Sequence, residues 1–362
     1  MLYHLLTPLQ DIFGPFNLFR YITFRAAMAG ACAIVLVLLL GQPLIRLVKR
    51  LQIGQNIREE VPETHRKKAG TPTMGGILLL AATIIGVLLF GDLKNQGIQL
   101  GLAVLILLGG LGFWDDYVKV RCGKPRGINK RTKIAGQLLV AFFVAAVLFF
   151  LPINPGLKTK TNFLFFKNVV IDFREFYIPM VMFILIACAN AVNLSDGLDG
   201  LASGLLSVAF VIFTALAYVS GHSKIAQYLN IQFVPGSGEM AVFSFALAGA
   251  CLGFLWFNAY PAEIFMGDTG SLPLGGALGL VAIIVKHELL LPIVGGVFLL
   301  EAGSVLLQVL VFHTTGGKRL FKMAPFHHHY ELKGWTEPKI VTRFIILAVL
   351  CGMLALATLK VR

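Results

Sequence analysis

Two adjacent carboxylates, Asp115 and Asp116, stand where an apolar run from Ile98 to Phe113 gives way to a burst of cations: Lys119, Arg121, Lys124, Arg126, Lys130, Arg131 and Lys133. Trp114 and Tyr117 flank them, so the pair lies at a hydrocarbon–water edge. Like charges there are costly unless a metal ion or a basic ligand group offsets them. One such acid would serve as an interfacial helix end. Two, in an aromatic cluster facing a basic loop, read as a site.

Other stretches carry chemistry of the same kind. In Asn190-Ala-Val-Asn193-Leu-Ser-Asp196-Gly-Leu-Asp199-Gly, Asp196 and Asp199 are three apart and share a face on a helical turn. Helix capping would account for one or two of these polar residues, not four. Asn258 opens a second polar turn that ends Gly267-Asp268-Thr269-Gly270-Ser271. Its glycines let backbone approach a ligand, Asp268 is a hard oxygen donor suited to Mg²⁺, and Thr269, Ser271 and helix-initial N–H groups suit phosphate. His327-His328-His329 lies among Lys318, Arg319, Lys322 and Lys333. Three consecutive histidines point about 100° apart on a helix and no Cys accompanies them, which favours phosphate contact over zinc or a merely solvated run. Arg66-Lys67-Lys68 runs into Gly70-Thr71-Pro72-Thr73-Met74-Gly75-Gly76, either a topology signal or a diphosphate cradle. Glu301, with Gln308 seven residues on and on the same helical face, lies inside an apolar span: a functional acid or a buried structural hydrogen bond.

The elements that must position these residues are membrane helices. The 362 residues are 57% hydrophobic and 14% charged, with a mean hydropathy of +0.80. Many apolar runs approach the roughly 20 residues a crossing helix needs, and the alternation of a β-barrel is absent. We read an all-α, polytopic integral membrane protein, one catalytic domain over 1–362. Ten spans are expected at 22–45, 73–91, 97–114, 134–152, 176–192, 200–219, 239–257, 270–286, 289–311 and 340–359, after an aromatic interfacial segment. The five cysteines form no C-x-x-C pair, so neither a disulfide framework nor a zinc site is implied. No cleaved-signal order opens the chain, which leaves insertion to the spans. The net charge of +13 sits in short loops, which points to anionic headgroups and topology and away from nucleic acid.

Parity orders the loops. Residues 46–68, 119–133 and 318–343, after spans one, three and nine, carry seven, seven and six of the chain's 31 Lys and Arg, so their side is expected to be cytoplasmic and both termini periplasmic. The cytoplasmic loops are then about 46–72, 115–133, 190–199, 258–271 and 312–339. Every unusual polar motif falls on that face, and the opposite loops, 153–175 and 220–238, read as plain connectors. One-sided chemistry argues against a transporter of an anionic solute, which needs polar residues along a path to both faces. Carboxylates, cations and histidines at a membrane surface point to phosphoryl chemistry between a soluble and a lipid substrate.

Phe113-Trp-Asp-Asp-Tyr117, Asn193-Leu-Ser-Asp-Gly-Leu-Asp-Gly200, Phe265-Met-Gly-Asp-Thr-Gly-Ser271 and Pro325-Phe-His-His-His-Tyr-Glu-Leu-Lys-Gly-Trp335 together resemble the polyprenyl-phosphate N-acetylhexosamine-1-phosphate transferase superfamily. The likeness runs nearly end to end, and the histidine block is similar to that of the muramoyl-pentapeptide branch. Ser195, where a Thr would also fit, is a conservative departure. The resemblance implies that UDP-N-acetylmuramoyl-pentapeptide gives its phospho-sugar to undecaprenyl phosphate, forming lipid I and releasing UMP, with Mg²⁺ required. It also implies a homodimer in the bacterial cytoplasmic membrane. The alternative within the superfamily is transfer of N-acetylglucosamine-1-phosphate. Asp115, Asp116, Asp268 and His328 would be catalytic, with Asp268 on Mg²⁺ and Asp115 near the lipid phosphate. Lys68, Thr73, Lys119, Lys133, Asn190, Asn193, Asp196, Asp199, Asn258, Ser271, Gln308, His327 and His329 would bind substrate.

Overall fold

The structure, a computed structural model, describes residues 1–50, 71–121, 127–162 and 170–361. Ten helices dominate it: α1 (Ile22–Arg50), α2 (Gly76–Phe90), α3 (Gln96–Arg121), α4 (Lys130–Phe150), α5 (Tyr177–Ser195), α6 (Leu201–Ser220), α7 (Glu239–Asn258), α8 (Asp268–Ile284), α9 (Gly296–Thr314) and α10 (Glu337–Val361). The runs that form them are Leu-, Val-, Ile- and Ala-rich, and in lipid only a helix satisfies every backbone group within one segment. Eight of the ten are long and apolar enough to cross a membrane. The other two are apolar but shorter, α2 with 15 residues and α8 with 17.

The bundle is built around α7 and α8. Every residue of α8 is buried, and it packs chiefly on α3 and α5. The partners of α7 are α1, α6 and α2. Glycines let backbones meet: a Cβ on Gly249 of α7 would lie 2.3 Å from the Gly30 carbonyl of α1, and one on Gly275 of α8 only 2.4 Å from the Cys188 carbonyl of α5. Large apolar side chains such as Leu39, Leu139, Phe183 and Leu306 remain exposed on α1, α4, α5 and α9, a lipid-facing belt.

All ten expected spans appear as helices, with shifted ends. Span two starts at Gly76, not 73, because residues 72–76 pair with the backbone at 265–266. Span three runs on to Arg121, beyond the expected 114, since Asp115 and Lys119 pair four residues apart along the helix. Span nine, expected from 289, breaks at Gly295 into a short helix, Leu291–Val294, and α9. The outer connectors also hold structure: Lys160–Asn162 pairs antiparallel with Val170–Asp172, and Ser223–Leu229 is helical.

Alternating helix directions bring the ends of α3, α5, α7 and α9 to the same face as the starts of α4, α6, α8 and α10. At the opposite end Arg25 is buried against Glu239, with Phe90 and Asp92 completing the cluster.

Candidate active site

The site forms where α2, α3 and α8 meet backbone to backbone. A Cβ on Gly112 of α3 would stand 2.1 Å from the Asp268 carbonyl, and one on Gly76 of α2 only 2.1 Å from the Gly270 nitrogen. The approach to α2 is zipped by three bonds: Phe265 N–H to the Pro72 carbonyl (2.8 Å), Gly75 N–H to Phe265 (2.8 Å) and Gly76 N–H to Met266 (2.9 Å). Gly267, at φ +73°, then turns the chain into α8, so that Asp268 opens that helix beside the carboxylates of α3.

Asp115, Asp116 and Asp268 are buried, and one oxygen from each lies within 4.8 Å of the others. Two lysines hold them together. Lys119 Nζ is 2.6 Å from Asp115, 2.9 Å from Asp268 and 3.4 Å from Asp116. Lys133, in the first turns of α4, is 2.6 Å from Asp268 and 3.9 Å from Asp115. The remaining oxygens are fixed by neutral donors. Asn193 Nδ2 donates to Asp268 (2.6 Å) and to Ser271 Oγ (2.8 Å), Thr269 gives Asp116 its N–H (2.9 Å) and its hydroxyl (2.7 Å), and Ile128 N–H reaches Asp115 (2.8 Å). Like charges this close are stable only with cations among them. Three hard oxygen donors with two ammonium groups fit a divalent cation that bridges protein to phosphate, as Mg²⁺ does.

The other residues singled out in the sequence fall into two groups. Asn193, Ser271, Lys119, Lys133 and Thr73, whose hydroxyl lies by Gly267 and Asp116, converge on the acids. Asp196 follows α5 directly; burial and the charges of Asp268 and Asp116 push its carboxyl well above the usual range. The rest brace the frame. Asn190 binds Gln137 (2.7 Å), and Asn258 accepts from Gly200 N–H (3.1 Å) and Ser203 (3.0 Å) while donating to Ile264 (2.9 Å). Asp199 accepts from Ala262 N–H (3.0 Å), and its own N–H donates to Glu337 of α10 (2.6 Å). Gln308 exchanges bonds with the Phe321 backbone. His327, His328 and His329 lie on a short helix, Phe326–Glu331, with His327 against Glu301 and His328 against Glu331. Desolvation, Lys333 and Lys322 hold the His329 ring below the usual imidazole value. Lys68 lies outside the described residues.

Gln137 and Glu337 were not among the sequence candidates, and neither was the Ile128 N–H. Gln137 has a polar side chain inside an apolar run, which is a signal; Glu337 looks like an ordinary first-turn acid, and a backbone donor leaves no trace in residue type.

Residues 98–286, which carry all three acids, match the family described as Glycosyl transferase family 4. Residues 68–80, including the zipped segment and Thr73, match a phospho-N-acetylmuramoyl-pentapeptide-transferase signature. Over 366 aligned positions the chain is 51% identical to the phospho-N-acetylmuramoyl-pentapeptide-transferase of Desulfotalea psychrophila. It is 48% identical over 362 positions to that of Thermodesulfovibrio yellowstonii and 51% over 365 to that of Desulfatibacillum aliphaticivorans. Each alignment covers 100% of both chains.

Proposed function

The chain belongs to the phospho-N-acetylmuramoyl-pentapeptide-transferase family, and from that premise we propose how its buried acids and lysines carry the reaction. The protein transfers phospho-N-acetylmuramoyl-pentapeptide from its UDP-linked form to a lipid acceptor, undecaprenyl phosphate in this proposal, giving lipid I and UMP. The observation that carries the assignment of the site is the Asp115–Asp116–Asp268 cluster laced by Lys119 and Lys133. We place it on the cytoplasmic face of the bacterial inner membrane, both termini outside, in a protein that acts as a homodimer.

Asp268, with Asp115 and Asp116, would hold Mg²⁺, which when bound supplies charge neutralisation for the diphosphate and its leaving group. Lys119 and Lys133 bring two further positive charges to the same point. Because Thr269, Ile128 and Asn193 already hold the carboxylates, little reorganisation is left for the chemical step. A phosphate monoester has a second pKa of about 6, so the lipid phosphate is mostly dianionic at neutral pH. It needs orientation and charge neutralisation more than a strong base. In a single in-line displacement, an acceptor oxygen bonds the β-phosphorus of the UDP-sugar while the bridging P–O bond breaks and its electron pair leaves with UMP. Asp115, closest to Lys119, orients the acceptor or takes any residual proton. Asn193 and Asp196 stand on the side from which α5 and α6 would receive the nucleotide-sugar, and His328 faces its phosphates or sugar.

Purified protein should release UMP from UDP-N-acetylmuramoyl-pentapeptide only with undecaprenyl phosphate and Mg²⁺ present, and Asp268→Asn should abolish release. Turnover of UDP-N-acetylglucosamine instead would move the substrate assignment to the sister branch. A chiral β-phosphorus should emerge inverted; net retention would mean a covalent phospho-sugar intermediate on an Asp.

A further inference from the structure

The three histidines make three different sets of contacts. His329 stacks on Phe326, ring centroids 5.9 Å apart, and accepts the Lys322 N–H. His328 is tied to Glu331 at 2.6 Å. His327 differs from both: it is fully buried, its Nδ1 lies 2.9 Å from Glu301 Oε2, and Glu301 is fully buried too. The opposite edge of the ring lies under the Asp196–Asp199 turn, where a Cβ on Gly197 would come within 2.4 Å of His327 Nε2.

We propose that Glu301 and His327 form a positioning pair that touches no substrate but sets the Asn193–Asp199 turn and the His328 ring in register for the nucleotide-sugar. The proposal rests on the transferase reading and assigns two of its residues. Three observations carry it. First, α9 holds the histidine segment at two points on one face: Glu301 grips His327, and Gln308, seven residues on, grips the Phe321 backbone at 2.8 and 3.3 Å. Much of the rest of α9 is exposed Leu and Val, so the segment is the principal polar load this helix carries. Second, one edge of the His327 ring is fixed by Glu301 and the other meets a residue with no side chain, so a rotation of the ring displaces the Asp196–Asp199 backbone. The ring centroids of His327 and His328 are 4.2 Å apart, so His328 moves with it. Third, Glu301 Oε1 and His327 Nε2 are both buried with no hydrogen-bond partner among the described residues. Packing alone would be better served by apolar side chains, which leave no unsatisfied atoms.

The test is titration calorimetry with UDP-N-acetylmuramoyl-pentapeptide, together with steady-state kinetics in both substrates, on purified full-length protein. Glu301→Ala and His327→Ala should each raise Kd and KM for the nucleotide-sugar about tenfold and leave KM for undecaprenyl phosphate within about twofold. The double variant should be no worse than either single one, because each change removes the same interaction. Glu301→Gln, which keeps an acceptor for the His327 Nδ1–H, should recover most of the binding. Additive losses, or an effect confined to the lipid KM, would overturn the pair. Should the alanine variants fail to fold, Glu301→Gln beside Glu301→Leu decides it, since only the Gln variant should retain affinity; equal affinities overturn the pair. Wild-type protein that bound no UDP-N-acetylmuramoyl-pentapeptide would instead overturn the transferase reading beneath it.

Discussion

Gly267 carries the sharpest constraint in the site. With φ +73° and ψ 177° it occupies a backbone region open essentially only to glycine, and a Cβ there would sit 2.5 Å from Asp116 Oδ2 and 3.1 Å from Thr73 Oγ1. Gly267→Ala should cost about 1–3 kcal/mol of stability from strain alone. Displacing Asp116 by even about 1 Å should lower turnover by about 100-fold, read as UMP release per folded molecule. Gly110→Ala, on the exposed side of α3 with nothing within 4 Å, should raise stability by about 0.5–1 kcal/mol and leave turnover intact. At this scale the sequence was most legible for residues that must be charged. Asp115, Asp116 and Asp268 stand out because acids are expensive beside apolar runs, and the structure gathers them. Thr269 was read as a phosphate donor, yet both its donors go to Asp116. Residue type names a donor; only the fold says what it faces.

Helices were legible by hydropathy and less so by role. The hydropathy of α8 does not distinguish it from a lipid-facing span, yet it is wholly buried and carries Asp268 at its first position. The glycines at 270, 275 and 276 are the trace of that burial, since close helix contacts need them. The far end of the bundle was not legible at all: Arg25 and Glu239 lie 214 residues apart, and only the packing of α1 on α7 brings them together. There Arg25 makes a two-pronged bond to Glu239 and a third to the Phe90 carbonyl (3.2 Å), tying the starts of α1 and α7 to the end of α2. Arg25→Met would strand a buried carboxylate and should cost about 3–5 kcal/mol. Arg25→Met with Glu239→Leu should regain most of it. Thermal unfolding in detergent measures both, and turnover per folded molecule should hold in each, because the pair lies at the opposite end from the acids.

At the scale of the molecule, charge and chemistry share one face. Residues 46–68, 119–133 and 318–343 carry seven, seven and six of the 31 cations, and Lys119 and Lys133 belong to the same population that by the positive-inside rule would orient the chain. The site and the topology signal are therefore one feature, and sidedness can be tested apart from catalysis. A phosphatase fused after Arg362 should be active outside the cytoplasm and a fluorescent protein there dark, with the reverse for fusions after Thr315. The weak points of that parity are the short helices, since α2 at 15 residues spans about 22 Å against a hydrocarbon core of about 30 Å. The start of α2 is zipped to Phe265 and Met266 beside the acids, while its last carbonyl, Phe90, is bound by Arg25 at the far end. In the same way α8 runs from Asp268 to Ile284, and just beyond its end the buried Lys286 donates to the Tyr177 hydroxyl at the start of α5 (3.2 Å). Each short helix thus runs from the acid cluster to the opposite end of the bundle, and if all ten helices cross, both termini would lie on one side. A phosphatase-silent C-terminus would overturn the count of ten crossings, with α2, the less buried of the two, the first to be reassigned.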